Sequence, residues 1–152
     1  MTTIAGISFF VEGEPKAQPR PRATAHRVGN KFVGYVYDDG SSNHWKSLVA
    51  MAAKPHVIPM KLRGPVYLKV GFVFARPKSH FGTGRNSLML KKSAPRAHVS
   101  TPDLDNLVKA VKDALTQIGM WKDDSQVCEE TVYKRYADVN ERQGATIEIC
   151  EL

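Results

Sequence analysis

Apolar residues recur along this chain with two periods, and the switches between them mark out its elements. Val66, Leu68, Val70, Phe72 and Phe74 alternate with other residues in VYLKVGFVFA, a period of two that predicts a strand with one face toward a core. From Asp105 to Ile118 the period becomes helical. Leu104, Leu107, Val111, Ala114, Leu115 and Ile118 trace one stripe, and Gly119 supplies a stop. The opposite face of that predicted helix holds Asp105, Lys109, Lys112 and Asp113. Near the amino terminus, Ile4 to Val11 is β-branched and aromatic and halts at Gly-Glu-Pro, which predicts a strand, central or wide-faced, ending in a turn.

Three further elements complete the order. Ser41, Ser42 and Asn43 offer caps for a helix through Trp45, Leu48, Val49 and Ala52, which Pro55 is expected to end. QVCEETVYKRY and ATIEIC predict two last strands joined by a turn across residues 140–144. The sum is β-α-β-α-β-β: an α/β chain in the α+β arrangement, with a mixed sheet covered by two main helices. Its 152 residues fit one small domain spanning 1–152.

Two stretches keep neither period. Residues 14–32, with the text PKAQPRPRATAHRVGNKF, are too rich in proline and charge to predict a regular element, while FVGYVYDD adds a short extended piece. Residues 76–100 form a second basic loop, of a length that is often functional or disordered, and it reads equally as a substrate contact or as a solvated face. The cations Lys16, Arg20, Arg22, Arg27 and Lys31 in the first, and Arg76, Lys78, Arg85, Lys91, Lys92 and Arg96 in the second, are candidates for DNA contact. Phe81 is expected to be exposed there as a wedge candidate, whereas Trp121 is expected to plug the edge of the core.

Charge is distributed unevenly. Residues 1–102 hold 16 Lys plus Arg against 4 Asp plus Glu, a net +12, and residues 103–152 hold 6 against 11, a net −5. A basic field around a locally acidic spot suits an enzyme that gathers a polyanion while its carboxylates gather cations; solubility alone also accounts for a basic excess. The hydrophobic share of 42% excludes wholesale disorder. Cys128 and Cys150 lack the number and spacing of a metal cluster or disulfide framework, so both are expected to be reduced. With neither a signal-peptide pattern at the amino terminus nor a long apolar run, the expected location is the cytoplasm, away from any membrane.

The acidic spot is specific. Asp103 and Asp105 stand two apart where an extended approach meets a helix start, and Asp123 and Asp124 follow the helix. One aspartate alone reads as a helix cap. A cap needs only one, so the others require another account. If both ends of the helix meet, Asp103, Asp105 and Asp124, with Asp123 as a further candidate ligand, make a set of hard oxygen donors without His or thiolate, which points to Mg²⁺, with Mn²⁺ as a plausible substitute, and to phosphodiester chemistry. Lys109 is either a surface i,i+4 partner of Asp105, worth about 0.3 kcal/mol, or an ammonium that offsets charge on a reacting phosphate.

The run PDLDNLVKAVKDALTQIGMWKDDSQV resembles the central signature of the RusA family of Holliday junction resolvases, endonucleases of bacteria and their phages or prophages. The resemblance extends over nearly the whole chain, through GEP, PRPR and ARPKSHF, and departs in the insert around Ser79 to Ser100, which is more like phage versions. It implies a small α/β homodimer that resolves four-way DNA junctions by paired, symmetric, Mg²⁺-dependent nicks. It matches Asp103, Asp105 and Asp124 to the family's essential carboxylates, Lys109 to its essential lysine and Asp123 to an adjacent acidic position. Two other readings stay open: a less selective phage nuclease acting on branched or single-stranded DNA, and a catalytically silent DNA-binding module.

Overall fold

The computed structural model describes residues 6–57 and 61–152. In chain order the elements are β1 (Ile7–Glu12), β2 (Arg22–Val28), β3 (Lys31–Tyr37), α1 (Asn43–Val57), β4 (Val66–Phe74), α2 (Leu104–Gln117), β5 (Val127–Tyr136) and β6 (Gly144–Glu151). Four strands form one mixed sheet in the order β1-β6-β4-β5, and β2 pairs with β3 in a separate two-stranded sheet. The α+β class and its two helices stand as the pattern of periods predicts.

β4 is central because its sequence allows burial on both faces. Val66, Leu68, Val70, Phe72 and Phe74 are buried at period two, and Gly71 and Val73 are buried as well. A Cβ on Gly71 would overlap the Tyr133 ring, so glycine lets that ring lie across the strand. β4 and β5 run parallel with Val70 opposite Val132, whereas β6 is antiparallel to both β1 and β4. Parallel neighbours need a long crossover, and here the crossover contains α2. The helix buries Leu107, Val108, Ala110, Val111, Ala114 and Leu115, and Gly119, at φ +80°, ends it. Trp121 is 1% exposed and donates from Nε1 to Thr116 Oγ1 at 2.7 Å, which makes it the expected plug.

Several expectations change in three dimensions. β1 lies at an edge of the sheet, not its centre: Phe9 stacks on His56 of α1 at 5.5 Å while Phe10 remains 43% exposed. Ile4 and Ala5 of the expected strand lie outside the described residues. α1 continues past Pro55 to Val57, because proline's fixed φ is itself helical and forbids only one backbone bond near the helix end. The largest change falls in residues 14–32, where Arg22–Val28 is strand and not loop. The prolines stop at Pro21, Gly29 turns the chain at φ +61°, and the β-branched and aromatic β3 supplies a backbone partner for a charged strand.

Residues 76–100 also have more order than their text suggests. They hold short 3-10 turns at Lys78–His80 and Gly84–Asn86, a bridge between Phe81 and Leu90, and another between Ala97 and Arg135. Phe81 is half-buried by this folding, not exposed. Both cysteines are free, with Cys128 exposed. No described helix is long and apolar enough to cross a membrane.

Candidate functional site

The site begins where β5 grips the chain before α2. Lys134 donates from Nζ to the carbonyls of Ser100 and Pro102, at 2.5 and 2.7 Å, and so fixes the approach to Asp103. Asp103 occupies the cap position of α2 at φ −70° and ψ 143°, and its carbonyl accepts the Leu107 N–H at 3.0 Å. Its side chain makes no capping bond. The ordinary explanation for an aspartate at this position is therefore not realised, and both Asp103 and Asp105, which stands in the first turn, are exposed. Neither carboxylate joins an ion pair among those formed by the described residues.

Lys109 is exposed on the same helix and likewise forms no ion pair among the described residues. The surface pair with Asp105 that its spacing allows is absent. The cation that is paired is Lys112, 2.9 Å from Glu130 on β5.

Asp124 stands elsewhere. β5 returns alongside α2 in the opposite direction, with Lys112 and Glu130 meeting midway and Lys134 reaching the start of the helix. The 14 residues of α2 span about 21 Å. Asp124 precedes β5 and lies at the far end of that length. Among the described residues, no three His, Cys, Asp or Glu side chains gather into a set able to hold a metal ion. One chain thus places Asp103 and Asp105 at the start of α2 and Asp124 beyond its other end.

Asp123 has a structural task of its own. It caps a short 3-10 turn over Asp124–Gln126 by accepting the Ser125 N–H at 2.8 Å, while Gln126 Oε1 accepts the Lys122 and Asp123 N–H groups. Hydrogen bonding from Ser125 holds the Asp123 carboxyl below its ordinary pKa. Its neighbour Asp124 is left exposed and in a fixed place.

The cations divide by what already occupies them. Arg76 donates to the carbonyls of Ala137 and Pro95, at 2.6 and 2.7 Å, and lies over the Tyr136 ring, so it braces the loop. Arg96 meets Asp138 at 3.2 Å, Lys16 meets Glu14 at 3.0 Å, Arg22 meets Asp39 at 3.3 Å, and Arg27 donates to the Gly29 carbonyl. Arg20, Lys31, Lys78, Arg85, Lys91 and Lys92 are exposed and form no ion pair among the described residues.

Lys134 and His98 are the residues that sequence reasoning missed, because nothing in the period of a strand says which loop its lysine will reach. His98 is buried against Phe74 and Tyr136, with ring centroids at 4.3 and 4.8 Å. Burial first, and then the Lys134 charge, pushes its pKa below the ordinary 6.5.

Comparison with known proteins bears on this arrangement. A family model described as Endodeoxyribonuclease RusA matches residues 12–149. The chain is also similar to the "Uncharacterized protein YqaN" of Bacillus subtilis (strain 168), at 37% identity over 132 residues, which cover 87% of this chain and 89% of that one.

Proposed function

Since the chain belongs to the RusA endodeoxyribonuclease family, we propose that it is a Mg²⁺-dependent, structure-selective endonuclease that resolves four-way DNA junctions by paired symmetric nicks. In this reading residues 1–152 form a single RusA-like domain that acts as a homodimer in the cytoplasm of a bacterial cell, encoded by host, phage or prophage. The observation that most supports a nuclease site is the uncommitted pair at the start of α2: Asp103 stands at a cap position yet spends no side-chain bond on the cap.

Asp103 and Asp105 suit a hard divalent cation by donor chemistry, but one chain leaves the set incomplete. A two-fold copy whose α2 lies antiparallel would bring Asp124 of the partner subunit to the same place, since the two ends of the helix then stand together. Bound there, Mg²⁺ would polarise the scissile phosphate and lower the pKa of a water that attacks it. Asp103 and Asp105 orient the reacting groups, and Lys109, free of any described ion pair, offsets charge that builds on the phosphate oxygens. Two such sites related by symmetry account for paired nicks on a pseudo-symmetric junction.

Cleavage mapping on a mobile four-way junction, a fork and a duplex, each with Mg²⁺, tests the activity. Symmetric nicks on the junction support resolution; equal cutting of all three makes the protein a less selective nuclease. Shared sites are tested with a heterodimer purified by two tags, one chain bearing Asp105→Asn and the other Asp124→Asn. Sharing leaves one site intact and about half the parent nicking rate. Sites held within single chains leave none.

A further inference from the structure

The hairpin of β2 and β3 has no place in the core. All seven residues of β3 are exposed, Phe32 by 78% and Tyr35 by 52%, and none of the hairpin's residues joins the buried cluster. A lone two-stranded ribbon is marginal in water, so a partner surface is expected. Its register puts Arg22, Thr24, His26 and Val28 on one face with Lys31, Val33, Tyr35 and Tyr37. There His26 meets Tyr35 edge-on at 5.8 Å, and Tyr35 meets Tyr37 at 6.0 Å, which preorganises a polar aromatic row.

We propose that this ribbon lies in the major groove of the DNA arm beside the cleaved branch, with its His26, Lys31, Tyr35 and Tyr37 face toward the nucleic acid. The proposal rests on the DNA reading above and adds where the duplex is held. Charge selects the occupant. The ribbon itself, residues 22–37, holds Arg22, Arg27 and Lys31 and no Asp or Glu; Arg22 is paired with Asp39 just beyond it, and Arg27 and Lys31, in no ion pair among the described residues, favour a polyanion over a second ribbon of like charge.

Size agrees, because strands of seven residues extend about 23 Å and a two-stranded ribbon fits a groove about 12 Å wide. Position agrees as well. The Gln18 N–H donates to the Asn106 carbonyl at 2.9 Å, and Gln18 Nε2 donates to Asp38 at 2.7 Å, which fastens the base of the ribbon to the first turn of α2, one residue from Asp105. The base of the ribbon is thus held close to the carboxylate pair.

The test is junction binding by fluorescence anisotropy across a salt series in EDTA, with Lys31→Ala and Tyr35→Ala compared with the parent. Lys31→Ala should lower affinity and reduce the slope of log K against log salt by about 0.9, the signature of one lost phosphate contact. Tyr35→Ala should weaken binding about tenfold at every salt concentration without changing the slope, as loss of a neutral phenol donor to phosphate predicts. Both melting temperatures should stay at the parent value, since neither side chain is in the core. Parent-like binding by both variants overturns the proposal, as does a Tyr35→Ala chain that sediments as a monomer yet binds DNA normally, which makes the ribbon a subunit contact. A parent protein that binds no DNA sinks both this inference and the reading under it.

Discussion

Replacing Lys134 with Met keeps the aliphatic stem and removes the ammonium that holds the Ser100 and Pro102 carbonyls. Two charge-assisted bonds are lost, and since Ser100 is exposed the combined cost is about 1–3 kcal/mol, less than their sum in a dry interior. For a chain of this length that amounts to about 3–10 °C in melting temperature. The functional cost is separate. Pro102 adjoins Asp103, and a displacement of about 1 Å in a reacting group can cost about 100-fold in rate. Single-turnover cleavage of a prebound junction, repeated over a Mg²⁺ titration, distinguishes a positioning residue from a purely structural one. A positioning role predicts a weaker apparent Mg²⁺ affinity, so that excess metal partly restores the rate, with Lys134→Arg recovering part of both effects. His98 gives a third readout. Lys134 contributes to its depressed pKa after burial, so the His98 titration followed by NMR should move upward in Lys134→Met, stopping short of the ordinary 6.5 because burial persists. A variant that loses melting temperature but cleaves at the parent rate, with the parent Mg²⁺ dependence, refutes the claim that this tether places Asp103.

Lys109→Ala should leave stability within about 0.5 kcal/mol of the parent, because the described side chain makes no ion pair, yet slow single-turnover cleavage about 30-fold to 1000-fold if the lysine acts on the phosphate. Parent-rate cleavage would return it to the helix surface. Asp103→Asn, Asp105→Asn and Asp124→Asn should each abolish nicking while junction affinity holds or rises, since a phosphate-repelling charge is removed; gel-shift and cleavage assays on the same preparations check both. Arg135 holds Glu141 through two side-chain bonds, and its carboxyl is lowered from 4.5 to about 2. The folded-state pKa is depressed, so this stabilisation is full above about pH 4.5 and disappears as pH falls through about 2. Glu141→Gln should flatten the dependence of urea midpoint on pH across that window, and an unchanged slope would show that the pair contributes nothing to acid stability.

The strand at Val66–Phe74 and the helix at Leu104–Gln117 were legible because burial imposes its period on the residues it buries. Gly119 and Trp121 were legible for related reasons: a positive φ selects glycine, and a large apolar ring at a helix end seeks the core. The ribbon of β2 and β3 was half hidden, since strands exposed on both faces need no apolar period and only backbone pairing declares them. Edge or centre was equally hidden for β1, because strand order depends on long-range pairing that local text does not encode. The sequence could place aspartates at both ends of one helix, as residue types in a line. Only the tertiary structure decided that β5 returns along α2, that Lys134 therefore reaches the Asp103 end, and that Asp124 stays at the other. The physical reason is that a helix is a rigid rod of fixed rise per residue, so carboxylates at its two ends cannot converge within the chain that contains it.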